Sequence, residues 1–417
     1  LKACTVSPGV IPPVVAWEVP LEGHPRALIA ASGRLFVMTA ESELLCFAGG
    51  AGPTRALPLA RTPARVDASS LARAERISSV TGVREGYAVL SGRESMGLAT
   101  GALLSTTALS VIASCPDDAR ARPVRDLMRQ TGQYGIRTSA VVSVSPWAFL
   151  PSFLASLIVV DAVHSKAELG AMFRVLRPYG GTLCISLPAD GHDRLVDLVR
   201  EAGLAGAALT RHDDLSLLRR TGPLPGAAPW THEYGDAART LCSNDVLVRP
   251  PFGLLWYGGD ADGLFARPFM PPRYYPAPQV IGGRLFAQSM TSMSAVDVFT
   301  GRRLWTTELP DPHEILQMHH IRTPGYPSVA CADTVYVACG TTCLKLAPDT
   351  GKKVGEITFS DMTDAGRERL WEHVVAAGDV LIGITTIPRR FWGDDYRGVK
   401  PEELGHDEWI KLNEWGK

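Results

Sequence analysis

Two rhythms of apolar and polar positions divide this chain. In the first, a turn of small residues leads into a short apolar strand. AASGRLFVMT and VIGGRLFAQS share the step at Gly33–Phe36 and Gly283–Phe286, and ACADTVYVACG (Ala330–Gly340) and VAAGDVLIGIT (Val375–Thr385) have the same shape. Leu285 to Val335 is 50 positions, and Val335 to Val380 is 45. Periods of about 40–50 residues with several strands per unit point to propeller blades. A second element follows, in which AVDVFTGRRLW (Ala295–Trp305) and KLAPDTGKKVG (Lys345–Gly355) align Thr300 with Thr350 and Gly301 with Gly351. Thr-Gly predicts a hairpin turn, because glycine takes positive φ without a steric penalty. Trp305 offers a large surface to wedge against a neighbouring blade. Gly355 replaces it one repeat later, so docking there must differ. AWEVP (Ala16–Pro20) mirrors the strand around Trp305 and predicts the tail of an earlier blade.

Between Phe47 and Trp230 this period disappears. A Pro/Ala/Arg-rich link leads to strand YAVLS and a helix from about Ser95; strand LSVIA (Leu109–Ala113) precedes a charged helix over Asp118–Thr131. Strand SAVVSV (Ser139–Val144), the buried run LIVVDAV (Leu157–Val163), helix KAELGAMFRVL (Lys166–Leu176) and strand TLCIS (Thr182–Ser186) follow. Helix DRLVDLVREAG and strands near Ala207–Thr210 and Leu215–Arg219 close the series. Strands alternating with helices predict a doubly wound sheet with helices on both faces.

The totals narrow the function classes. The chain has 417 residues and a formal net charge of −1, which leaves no electrostatic footprint for nucleic acid or an anionic membrane. No apolar run reaches the ~18–20 residues of a bilayer span, so no transmembrane segment is expected. The longest, Phe149–Val163, carries a proline and ends beside an acid, and reads as a buried strand. The eight cysteines form no CxxC pair; Cys339-Gly-Thr-Thr-Cys343 suits two strand ends joined by a tight turn, with both thiols buried. The chain opens on Leu1 without a leader pattern and closes on a polar stretch, as expected of a fragment or processed piece.

The Ala-x-Asp-x-x-Thr-Gly-x-x-x-Trp pattern at Ala295–Trp305 resembles the repeats of the pyrroloquinoline-quinone-type β-propeller family, and WTHEYGDAARTLCSND (Trp230–Asp245) resembles the opening of such propellers. RVLRPYGGTLCIS resembles the approach to the fifth strand of class I S-adenosylmethionine-dependent methyltransferases. PGAAPWTHEYGD and LLWYGGDADG resemble the downstream junction of propellers interrupted by such a domain. The implied fold is multidomain: an all-β propeller, partial at about four to five blades, interrupted by an α/β doubly wound Rossmann-like domain. The expected boundaries are 1–52 for the first propeller strands, 53–76 for a linker, 77–222 for the methyltransferase-like domain and 223–417 for the remaining blades.

What the methyltransferase resemblance implies is a cofactor pocket with its grip reduced. Aligned on Leu98-Ala99, the three loop glycines fall at Gly92, Glu94 and Met96, with Gly97 a partial substitute. The acid that holds both ribose hydroxyls falls at Cys115, a poor acceptor, with Asp117 two residues on. Val144-Ser145 stand where the family often has Gly-Asp near the adenine. The degenerate pocket is therefore expected at Gly92, Gly97, Cys115, Asp117 and Ser145. Asp161, where the family often places a substrate-facing residue, is the one catalytic candidate, its plainer reading being a cap for the next helix region. The propeller resemblance implies a quinone with bound calcium, for which Asp236, Trp230 and Trp256 are candidates that no spacing selects. His313, Glu314 and His320 in HEILQMHH and Asp394-Asp395 read as surface loops in preference to metal sites.

The expected function is a non-catalytic binding or scaffold protein whose blades meet a protein partner or small ligand. Two alternatives stay open: a methyltransferase with an altered cofactor loop, and a fragment of a quinone-dependent oxidoreductase. Family analogy points to a bacterial, periplasmic or cell-envelope setting.

Overall fold

The computed structural model describes residues 2–5, 14–21, 23–41, 43–49, 66–93, 98–232, 234–257, 277–289, 292–309, 328–358, 363–364 and 367–386. The chain divides into two compact units, Leu1–Leu59 and Ala60–Lys417. In the smaller, β1 (Lys2–Thr5) pairs with β2 (Val14–Glu18), and β3 (Pro25–Ala31), β4 (Arg34–Thr39) and β5 (Leu44–Ala48) form an antiparallel meander. The predicted turn at Ser32-Gly33 has positive φ at both residues and feeds β4. Trp17 of AWEVP lies on β2, 45% exposed.

The first described element of the larger unit is a helix that begins inside the stretch read as a link and runs past it. Asp67 accepts a hydrogen bond from the Ser70 amide to cap α1 (Ala68–Thr81), and Gly82 ends it in the left-handed region. Next come β6 (Glu85–Ser91), α2 (Leu103–Thr106), β7 (Ala108–Cys115), α3 (Asp118–Gln130), β8 (Thr138–Val142), α4 (Pro146–Phe149) and β9 (Ala155–Val160). The rest are α5 (Lys166–Val175), β10 (Thr182–Ser186), α6 (Ala189–Ala202), β11 (Ala207–His212) and β12 (Leu215–Arg220). The sheet order is β11-β12-β10-β9-β6-β7-β8, with five parallel strands and β12 inserted antiparallel between β10 and β11. This is a Rossmann-like α/β sheet of the methyltransferase type. Ala74, Ile77, Leu103 and Met128 from α1–α3 cover one face, and Trp147, Leu169, Phe173 and Leu195 from α4–α6 cover the other.

One element departs from the expected pattern. The helix read from about Ser95, itself outside the described residues, takes the form of a π-helical turn at Leu98–Ala102, kinked at Gly101 (φ 142°), followed by the four residues of α2. The cause lies in LATGALLSTTA. Gly101 breaks the helical φ/ψ, and the hydroxyls of Ser105, Thr106 and Thr107 turn back to the carbonyls of Gly101, Ala102 and Leu103, a bond that bends helices and shortens them.

Past the α/β domain come two four-stranded antiparallel sheets. One runs β13 (Gln279–Ile281), β14 (Arg284–Gln288), β15 (Ser292–Asp297), β16 (Arg303–Glu308); the next runs β17 (Ser328–Ala330), β18 (Val335–Cys339), β19 (Thr342–Leu346), β20 (Lys353–Ile357). A short pair, β21 (Thr363–Asp364) and β22 (Arg367–Glu368), precedes the hairpin β23 (Leu370–Ala377) and β24 (Val380–Thr386). Phe286, Ala295 and Trp305 pack against Val335, Val337 and Leu344 between the four-stranded sheets, and Ala338 and Cys343 pack against Trp371 and Val374 of the hairpin.

The aligned Thr-Gly turns fold alike. Gly301 (φ 69°) and Gly351 (φ 67°) each lie under a tryptophan ring, Trp256 on the first and Trp305 on the second, so close that a Cβ at either glycine would collide with it. Each indole Nε1–H donates at 2.9 Å to the carbonyl three residues before its glycine, Val298 and Pro348. Cys339 and Cys343 flank the predicted tight turn, one on each face of the β18–β19 hairpin, and burial pushes the Cys343 thiol up to about 12.

The α/β domain is built into the first of these sheets by the N-terminal ends of its strands. Arg177, just before β10, pairs with Asp297 on β15, whose side chain is 3% exposed. Tyr179 rests on Gly283, Phe153 meets Phe299 edge to face at 5.5 Å between ring centroids, and Arg302 Nη1 bonds Glu85 Oε2 at 2.9 Å. The RPYGG turn of the methyltransferase resemblance is thus a joint between layers.

Candidate functional site

In open α/β sheets ligands bind beyond the carboxyl ends of the strands, where the strand order reverses. Here that place is the β6 end, between β7 and β9. Register puts Ser91 level with Ser114 and Val160, and Cys115 level with Val142. Gly92, Cys115 and Asp161 therefore stand in a row along one edge, with Ser145 on the loop beyond β8. The sequence-predicted residues do converge on this edge, except Gly97, which with Glu94 and Met96 lies outside the described residues.

Their side chains are differently employed from one another. Gly92 has φ 111°, and a Cβ there would stand 2.5 and 2.8 Å from the two carboxylate oxygens of Asp161. Asp161 therefore lies directly over the loop glycine. It does not provide the side-chain cap of the next helix: Ser165 Oγ accepts from the Glu168 amide at 3.1 Å, while Glu168 Oε2 accepts from the His164 amide at 2.8 Å. Cys115 is 1% exposed, and burial pushes its thiol up, so it stays neutral. Its backbone carbonyl accepts from the Ser143 amide at 2.8 Å. Asp117 is turned to α3, where its carboxylate accepts from the Arg120 amide at 2.8 Å. Arg125, the cation nearest in effect to Cys115, is bonded to Asp118 at 2.7 Å and to the Ala140 carbonyl at 3.2 Å. Ser145 is exposed; its amide donates to Ser143 Oγ at 3.1 Å, beside Val144 at 88% exposure.

The quinone candidates have structural occupations. Asp236 accepts from the Thr240 amide (3.1 Å) and hydroxyl (2.8 Å), which hold its carboxyl below the usual range. Trp230 pairs its backbone with Val280, and Trp256 lies on Gly301. Among the described residues no three His, Cys, Asp or Glu side chains could hold a metal ion. His313, Glu314, His320, Asp394 and Asp395 lie outside the described residues. No described helix is long and apolar enough to cross a membrane.

Sequence reasoning missed three features of this region. The kink at Gly101 was legible in the Gly plus Ser-Thr-Thr run. The contact of Asp161 with Gly92 and the Arg177–Asp297 joint join positions far apart in sequence and leave no local signal.

No family model matches this chain, and no curated protein does. Solved structures similar to it include one named a putative S-adenosyl-L-methionine-dependent methyltransferase, from Methanococcus maripaludis, at 14% identity and TM-score 0.33, covering 37% of this chain and 85% of that one. A SAM-dependent methyltransferase from Aquifex aeolicus is 16% identical, with TM-score 0.29, covering 37% and 93%. The C-terminal domain of a precorrin-6Y C5,15-methyltransferase from Rhodobacter capsulatus is 15% identical, with TM-score 0.27, covering 39% and 92%. Strand order and direction, not these scores, define the fold of the α/β domain.

Proposed function

We propose that this chain is a non-catalytic binding or scaffold protein, built of quinoprotein-like blades and a degenerate methyltransferase-like domain. The observation that carries this reading is Cys115, a buried neutral thiol at the end of β7. S-adenosylmethionine has a ribose diol to be held there, and a neutral thiol is a weak acceptor in place of a carboxylate. A charged hydrogen bond of that kind is worth about 1.5–3 kcal/mol. Asp117, the nearest acid, is engaged in capping α3. The methionine end fares no better, because the Asp161 carboxylate covers Gly92 and would face the carboxylate of the ligand. These residues do not fit S-adenosylmethionine.

The blade reading is supported by the repeated tryptophan-on-glycine contact, and the scaffold reading by the joint of Arg177 with Asp297. The blades would meet a protein partner or small ligand. Isothermal titration of the full chain with S-adenosylmethionine tests the proposal. It predicts no saturable heat below about 1 mM ligand. Micromolar binding that disappears in Gly92→Trp would replace this reading with that of an altered-loop methyltransferase.

A further inference from the structure

Among the described residues the hairpin β23–β24 is the last of the sheets, and β20 offers it no tryptophan clasp: Gly355 opposite Lys345 occupies on β20 the place that Trp305 opposite Ala295 has on β16. Two histidine bonds join this hairpin to the chain around His232 and Arg239. His232 Nε2 accepts from the Ala376 amide of β23 at 3.3 Å, and His373 Nε2, also on β23, accepts from Arg239 Nη2 at 2.5 Å. A backbone amide and a guanidinium only donate, so both Nε2 atoms are bare and both rings are neutral Nδ1–H tautomers. Nδ1 of His232 correspondingly faces Thr231 Oγ1 at 2.8 Å. Segment 230–242 also pairs with β13 through Trp230 and Val280, so it ties the hairpin to the first sheet of the series.

We propose that His232 and His373 form an acid-releasable latch, holding segment 230–242 on β23 while both rings are neutral and opening when either takes a proton. A proton on His373 Nε2 would set an imidazolium against Arg239, and a proton on His232 Nε2 would set N–H against N–H. Burial opposes charge on both rings and holds both pKa values below the usual histidine value; Arg239 adds to this at each, while Asp236 acts in the other direction on His232. Tyr336, Lys345 and the buried Cys343 thiol, which stays neutral, are the titratable groups that β18 and β19 turn toward the hairpin. With folded pKa values depressed, the unfolded chain binds protons first as pH falls. The latch is fully formed above about pH 6.5 and is lost below it, toward the folded values.

Hydrogen exchange of the full chain, corrected for intrinsic rates, tests this between pH 7.5 and 5. Amides of β23 are expected to lose protection by up to about tenfold per pH unit for each histidine, while β14 and β15 hold theirs. The double variant His232→Gln, His373→Gln keeps two neutral acceptors and is expected to flatten that profile. A wild-type slope in the double variant, or equal loss in all sheets, overturns the latch. Should the variant not fold, NMR titration of the wild-type rings decides: midpoints below about 6.5 support the latch, and midpoints at or above it overturn it.

Discussion

At the scale of single residues, Asp297 shows how one side chain can serve a turn and a joint together. One carboxylate oxygen accepts from the Phe299 and Thr300 amides at 2.9 and 3.1 Å, shaping the Thr-Gly turn, while the other receives Arg177. The turn was legible in Ala295–Trp305; the partner, 120 residues away, was not. Removing one member of a buried pair strands the other, so Asp297→Ala is expected to destabilise the chain by about 3–5 kcal/mol, and Asp297→Asn, which keeps the turn bonds, by less. Urea denaturation followed by tryptophan fluorescence measures both. Gly92 answers to its φ of 111° and to the carboxylate of Asp161. Gly92→Ala should lose about 1–3 kcal/mol in the same assay, with part of the loss recovered in the double variant with Asp161→Ala.

At the scale of elements, the period-two strands and their Thr-Gly turns were readable because both signals are local. The tryptophan clasp was half readable. Trp305 was expected to wedge against a neighbour, but only the structure shows Gly351 beneath it and Trp256 repeating the contact on Gly301. Trp305→Ala removes a side chain only 8% exposed, together with its bond to the Pro348 carbonyl. A loss of about 3–5 kcal/mol is expected, with Trp305→Phe intermediate because it keeps apolar surface but no N–H donor. The helix after β6 was expected but its kink was not, for a physical reason: the apolar pattern of LATGALL is helical, and Gly101 with three back-bonding hydroxyls bends it.

At the scale of the larger unit, the doubly wound layering of the α/β domain followed from the alternation of strands and helices and from the resemblance at RVLRPYGGTLCIS, while the strand order came from the structure. Its attachment did not, because docking of the N-terminal strand ends on β13–β16 uses residues from three separate stretches of the domain, at Glu85, Phe153 and Arg177–Tyr179. That attachment leaves the Gly92–Cys115–Asp161 edge at the other ends of the strands, where a ligand would have to bind if the domain bound one. The claim that this edge does not hold the methyl donor is tested most directly by hydrogen exchange on the full chain with and without about 1 mM S-adenosylmethionine. The account predicts unchanged protection at the carboxyl ends of β6, β7 and β9; ligand-dependent protection confined to residues around Gly92, Cys115 and Asp161 would contradict it.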